Sequence, residues 1–320
     1  MNLIITKIIL RTVLCVLCFS LYSQQVIAQQ KEKEFALSEA RNVLFLGNSI
    51  TYAGQYVAMT ESLLLAAHPK SKSQFINLGL PSETVSGLSE PNHAGGKFPR
   101  PCLFDRLDNV LDKIKAEVVF VCYGMNDGIY LPFDSARFEA YKTGILRLQA
   151  QLKRAGTKRI IWMTPPVHDD PQLRLNGYNK VLDRYAEWLL AYGHKSKWEM
   201  IDLHFPMKQY LEKQIRQDGT FKLAADGVHP GALGHWLMAK EIVAHLMPKM
   251  QLSASWDELV AQQPTYAKLY ELVFKRQTIL KDAWLTYTGH KRPGLVQGLP
   301  LAEALRKYKD LQQEIDAENL

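Results

Sequence analysis

Five short apolar runs, alternating with stretches of helical periodicity, constrain this chain more than any other feature. The runs lie at 42–46, 74–78, 117–123, 159–165 and 198–202, reading "NVLFL", "QFINL", "EVVFVCY", "RIIWMTP" and "WEMID". A continuous apolar run, without strict alternation, suits a strand covered on both faces. Helical periodicity fills 55–67, 103–115, 135–155, 176–192 and 230–247. Strand alternating with helix predicts a parallel sheet between helical layers. The expected fold is therefore α/β, a three-layer α/β/α sandwich with about five parallel strands.

The two ends of the chain depart from this pattern. Lys7 and Arg11 flank an apolar stretch that runs on to Val26, Ile27 and Ala28, the layout of a cleavable secretory signal over 1–28. Cleavage is expected after Ala28, giving a secreted or periplasmic protein without stable membrane insertion. Cys18 follows Leu17 rather than a small residue, which argues against a lipoprotein signal. The leader carries off Cys15 and Cys18, leaving Cys102 and Cys122, whose separation permits a disulfide although a buried thiol at Cys122 is the favoured reading. Losing Lys7 and Arg11 lowers the formal charge from +7 to +5. That mild excess, with no dense basic tract, gives no case for a nucleic-acid partner and would suit a mildly acidic substrate. From Trp256 onward the chain reads as amphipathic helices, so the expected division is a catalytic domain over 36–250 and a helical extension over 256–320. The extension is expected to pack back on the sandwich or to join a second subunit.

The first run ends in "GNSI", placing Ser49 at the carboxyl end of a buried strand, the edge where α/β sheets bind ligands. Ser49 has two readings there, a helix cap or a nucleophile. A nucleophilic serine needs a base oriented by a carboxylate. "DGVHP" supplies Asp226 and His229 three residues apart. An oxyanion needs fixed donors, for which "NLGL" offers the Gly79 N–H and "YGMND" the Asn126 amide. Taken singly, each of these is also an ordinary cap or turn residue.

Together, "GNSI", "NLGLPSETVSG", "YGMND" and "DGVHP" resemble, in order and rough spacing, the four motif blocks of the SGNH (GDSL-type) hydrolases. The resemblance covers about residues 42–247. It implies a flavodoxin-like sandwich, ester hydrolysis without a cofactor, Ser49 as nucleophile, His229 as base and Asp226 as its orienting carboxylate. The oxyanion hole would be the Ser49 N–H, the Gly79 N–H and the Asn126 side chain. Two positions depart from the pattern: Asn48, where many members carry Asp, and Ser82, where a second glycine is common.

Two long polar loops, 80–102 and 164–175, follow strands and should overhang the same edge as Ser49. With them come the residues expected to meet substrate: Asn48, His93, Arg100, Asp127 and His168. So polar a rim suits sugar better than a lipid chain, and the resemblance, whose secreted bacterial members commonly deacetylate polysaccharides, implies removal of O-acetyl groups from carbohydrate. A lipase, arylesterase or thioesterase is the alternative, and a carbohydrate-binding protein without turnover is a lesser one, since no member of the triad is missing. A metal site from Asp226, His229 and His235 lacks the ligands to complete a shell.

Overall fold

The computed structural model describes residues 37, 39–169 and 177–318; the expected leader, and Asp170 and Arg174 of the second polar loop, lie outside them. Five strands form one parallel sheet: β1 (Asn42–Gly47), β2 (Gln74–Asn77), β3 (Val118–Cys122), β4 (Arg159–Met163) and β5 (Glu199–Ile201), in the order β2-β1-β3-β4-β5. Leu44 pairs with Ile76 on one side and Val119 on the other. Phe45 and Phe120, also paired, stack at 4.4 Å, adding about 1 kcal/mol beyond the area they bury. The expected sandwich is what the chain forms.

From β1 onward the described residues form, in chain order, the α-helices α1 (Ser49–Ala53), α2 (Gln55–Ala67), α3 (Leu107–Ile114), α4 (Ser135–Arg154), α5 (Tyr178–Lys195), α6 (His204–Gln217), α7 (Ala232–Leu246), α8 (Trp256–Gln262), α9 (Thr265–Thr288) and α10 (Leu301–Ala317). Helices flank the sheet, with α2 packed on α7 and α4 meeting α5 through Tyr141 and Tyr185, whose rings stack at 4.4 Å. The segment expected to be helical from 103 begins as a 3-10 turn, Leu103–Asp105, before α3.

Helix α6 has no counterpart among the expected elements. Only His204, Met207 and Leu211 of it are buried, too sparse a stripe to mark a helix in sequence. Its first N–H groups are satisfied from a distance: the Thr164 hydroxyl, just past β4, accepts from the Leu203 and His204 N–H groups.

Helices α8 and α9 share the core of the sandwich through Leu259, Leu280, Trp284 and Leu285, while Leu311 and Ile315 of α10 pack in a second cluster with Ala58 and Leu65 of α2. Helix α9 packs along α2 and reaches β2, the edge strand. There Glu61 of α2 accepts from Arg276 at 2.6 Å and Gln277 at 2.5 Å, with Glu61 and Arg276 each about 1% exposed or less. The extension thus packs back on the sandwich. Both remaining cysteines are free thiols, and burial pushes Cys122 up to about 12.

His235 of α7 is 2% exposed and stacks on Tyr56 of α2. Burial, followed by the neighbouring His229, lowers its pKa from 6.5 to about 4. The unfolded chain takes up that proton near 6.5 and the folded chain only near 4, so stability is lost as pH falls through this window and levels off below it. Thermal melts of the wild type should therefore show Tm falling from pH 7 to pH 4, and His235→Phe, which keeps a ring against Tyr56, should flatten that slope. An unchanged slope would assign the acid loss to other groups.

Candidate active site

The sheet order reverses direction between β1 and β3, and the crevice beyond the carboxyl ends of such strands is the binding position of this architecture. Two glycines let the chain close up there. A Cβ on Gly47 would sit 2.9 Å from the Cys122 carbonyl oxygen, and one on Gly79 only 2.2 Å from the Tyr52 nitrogen. Neither neighbour is a flexible side chain, so only glycine fits.

Ser49 opens α1 directly after β1. The cap of that helix is Asn48, whose side-chain oxygen accepts from the Ile50 N–H at 3.1 Å. The Ser49 hydroxyl is therefore not the cap. It lies 2.8 Å from His229 Nε2, and His229 Nδ1 lies 2.6 Å from Asp226 Oδ2. The other Asp226 oxygen accepts from the backbone N–H groups of Val228 and His229. Burial alone would raise the Asp226 carboxyl, but the His229 ring and these two N–H groups outweigh it and hold it at about 2. Both side chains are open to water, 56% exposed for Asp226 and 51% for His229.

The loop carrying this pair is tied to the exit of β4 by Asp169, a residue that no sequence motif singles out. Asp169 is 3% exposed; its carboxylate accepts from the Leu223 and Ala224 N–H groups, and its own N–H donates to the Gly227 carbonyl. A carboxylate among backbone donors is a strong local anchor.

The donors differ from expectation at one position. The Gly79 N–H donates to Asn77 Oδ1 at 2.9 Å, and Asn77 in turn donates to the Thr51 carbonyl. Gly79 therefore serves the close approach of β2 to α1, and its N–H is already committed. Just beyond it, Leu80, Pro81, Ser82 and Glu83 form a turn closed by Glu83 N–H to Leu80 C=O, with Ser82 left-handed at φ 68. That conformation explains why glycine is common there in the resembling pattern. Among the described residues no acceptor takes the Ser82 or the Ser49 N–H. Asn126 is held at both ends, donating to the Glu83 carbonyl and accepting from the Tyr130 hydroxyl. One hydrogen of its amide remains uncommitted.

The turn is fixed by the side chain of Glu83, which is fully buried and takes Arg106 at 2.6 and 2.7 Å and the Tyr123 hydroxyl at 2.6 Å. Arg106 also donates to the Leu78 carbonyl.

Of the residues expected to meet substrate, four are buried: Asn48, Asp127, His168 and Arg100. Asn48 is 3% exposed and spent on the cap. Asp127 is fully buried and accepts from the Val85 and Ser86 N–H groups, a strut for the polar loop; burial, opposed by those bonds, raises it to about 6. His168 is 3% exposed, its ring against Tyr130 and Tyr178 and its backbone clasped by Asn179. Arg100 grips Glu90 through two 2.7 Å bonds and lies 5.2 Å over the Tyr130 ring. His93 is half-buried against Phe98 with Nδ1 at Glu90.

Comparison with known proteins agrees with this fold. An acetyl-xylooligosaccharide esterase from Geobacillus stearothermophilus superposes with a TM-score of 0.52 at 22% identity, over 68% of this chain and 99% of that one. A gut microbial diltiazem-metabolizing enzyme gives 0.52 at 20% identity, over 65% of this chain and 47% of that one. At such identities the likeness is one of fold. No curated protein sequence matches the chain. The model of the GDSL-like lipase/acylhydrolase family matches residues 45–237, a span that runs from β1 through Ser49, Asn126, Asp226 and His229 into α7. The chain belongs to that family of carboxylic ester hydrolases.

Proposed function

We propose that the protein is an exported serine esterase that removes O-acetyl groups from carbohydrate. The observation that carries the chemistry is the unbroken hydrogen-bonded chain from Ser49 through His229 to Asp226. His229 Nε2 takes the Ser49 proton as Oγ bonds to the ester carbonyl carbon. The oxyanion is met by the Ser49 N–H, the remaining Asn126 amide hydrogen and the Ser82 N–H, which replaces Gly79 in that role. Collapse of this intermediate breaks the bond to the alcohol, which leaves with the proton held on His229. Water then attacks the acyl-Ser49, its proton passing to His229, and the acid departs as Ser49 regains its hydrogen.

The sugar reading is supported by a water-exposed Asp226/His229 pair and by the charged cluster of Arg100, Glu90 and His93 on the loop after β2. The structural neighbour from Geobacillus acts on acetylated xylooligosaccharide, which agrees with it. Export rests on the leader over 1–28, with the catalytic domain over 36–250 and the extension over 256–320. Among the described residues no helix is long and apolar enough to cross a membrane.

Ser49→Ala should abolish turnover of a simple aryl acetate and labelling by a fluorophosphonate while leaving the melting curve in place; retained turnover would overturn the nucleophile. Asn126→Ala should lower kcat by about 10²- to 10³-fold, the usual effect of removing one oxyanion donor. Asp226 sits at about 2, so it stays ionised through the working range, and any acid fall in rate above about pH 4 must come from another group. Asp169→Ala should lower kcat with little change in KM, by loosening the loop that aims His229, and a purely thermal defect with normal kcat would contradict that role. Acetate release from acetylated polysaccharide, measured beside short and long acyl esters, tests the substrate, and preference for long chains would replace the sugar reading with a lipase.

A further inference from the structure

The C-terminal extension reaches the neighbourhood of Ser49 through Tyr52, three residues further along α1. The Tyr52 carbonyl accepts from Lys281 Nζ at 3.0 Å, and the same ammonium lies 3.8 Å over the Tyr52 ring. Burial, followed by the neighbouring Asp282, raises the Tyr52 hydroxyl above its ordinary pKa. Beyond α9 the chain continues to Arg292, whose guanidinium lies 5.3 Å over Phe98 of the loop after β2. The extension therefore bridges the helix of Ser49 and the polar rim.

Arg292 has an unusual position for a cation. It is half-buried, its Nη1 donates to the neighbouring Pro293 carbonyl, its Nε is closed off from solvent without a hydrogen-bond partner, and among the described residues no carboxylate pairs with it. The nearby acids are committed elsewhere. Asp282 lies 3.9 Å from Lys281, and Glu90 is taken by both arms of Arg100 and by His93. Yet Arg292 is felt on both sides of the gap. It opposes the rise that burial and Asp282 impose on Tyr52, and it adds to the fall that burial and Arg100 impose on His93. A half-buried guanidinium without a carboxylate partner favours an anionic ligand.

His93 completes the chemistry. With Nδ1–H given to Glu90 and the ring kept neutral by burial, Nε2 faces inward as an acceptor, and it too lacks a partner. A lone acceptor calls for a hydroxyl, as an unpaired guanidinium calls for a carboxylate. A group carrying both is a hydroxy acid, and among carbohydrates that is a uronic acid unit.

We propose that Arg292 of the extension and His93 of the polar loop form a subsite for a carboxylate-bearing sugar, so that the acetyl ester hydrolysed at Ser49 is one carried on an acidic saccharide. This rests on the esterase reading above and narrows its substrate class. The formal charge of +5 left after the leader favours approach of the same class of polymer.

The test uses the full exported chain and two acetylated oligosaccharides that differ only in whether the uronate carboxyl is intact or reduced to the neutral hexose. A charge-assisted contact predicts that wild-type kcat/KM favours the acidic member about tenfold or more at low salt, with the preference shrinking as ionic strength rises. Arg292→Gln should collapse that ratio towards unity, and Arg292→Lys should restore part of it. A wild-type ratio near one, or a ratio that survives Arg292→Gln, overturns the inference, as does an equal loss on both substrates. Aryl acetate turnover and fluorophosphonate labelling of Ser49, run in parallel, separate the two levels. If both are present and the ratio is near one, only the subsite fails. If both are absent, the esterase reading fails and the subsite with it.

Discussion

The carboxylate of Glu83 holds the carboxyl edge of this sheet together. It lies in the loop after β2, yet it binds Arg106 just before α3 and Tyr123 just after β3, while its carbonyl holds the Asn126 amide. Three segments distant in sequence meet at one fully buried residue. A buried ion pair of this kind returns little net stability compared with apolar packing, because desolvation consumes most of the attraction. What it supplies here is position: the turn bearing Ser82 and the amide of Asn126 are referenced to the same atoms. Asp169 does the equivalent work for the loop of His229, so two carboxylates that never face the substrate set the two halves of the site.

Much of this was readable from the sequence because it depends on short-range pattern. Runs such as Val118–Cys122 can be nothing but covered strands, and Ser49, Asn126, Asp226 and His229 fall at the ends of elements whose limits the pattern already marks. The failures share a cause. Asn48, Asp127 and His168 sit in polar loops and look exposed in one dimension, but each is buried by a partner that sequence does not name: the Ile50 N–H, the Val85 and Ser86 N–H groups, and the Tyr130 and Tyr178 rings. Gly79 fits the oxyanion in sequence because it is a glycine at a strand end. Its lack of a side chain is instead spent on the close approach to Tyr52, and the left-handed position three residues later is occupied by a serine that gives no compositional signal. Helix α6 escapes a sequence reading because its cap, Thr164, lies some forty residues away.

Strain gathers on one side of the crevice. Ser82, Ile129 and Tyr130 all have positive φ, and for a β-branched residue such as Ile129 this costs about 1–2 kcal/mol. Tyr130 is the residue these distortions deliver: its hydroxyl fixes Asn126, and its ring receives Arg100. Backbone discomfort of this sort persists where surrounding contacts over-determine it. Here the contacts are the stack on Tyr178 and the Asn126 bond.

The Glu61–Arg276 contact bears on where this protein can be cut. The family match ends at 237, inviting the view that the residues beyond it are dispensable. Removing α9 and α10 would leave the Glu61 carboxylate in the middle of α2 without its guanidinium and without Gln277, and would uncover Ala58 and Leu65 beside it. An orphaned buried charge costs about 3–5 kcal/mol, a large part of the 5–15 kcal/mol that holds a typical domain folded. The shortest autonomous version of this enzyme is therefore longer than the family it belongs to, and a trimmed version would be sticky before it was inactive.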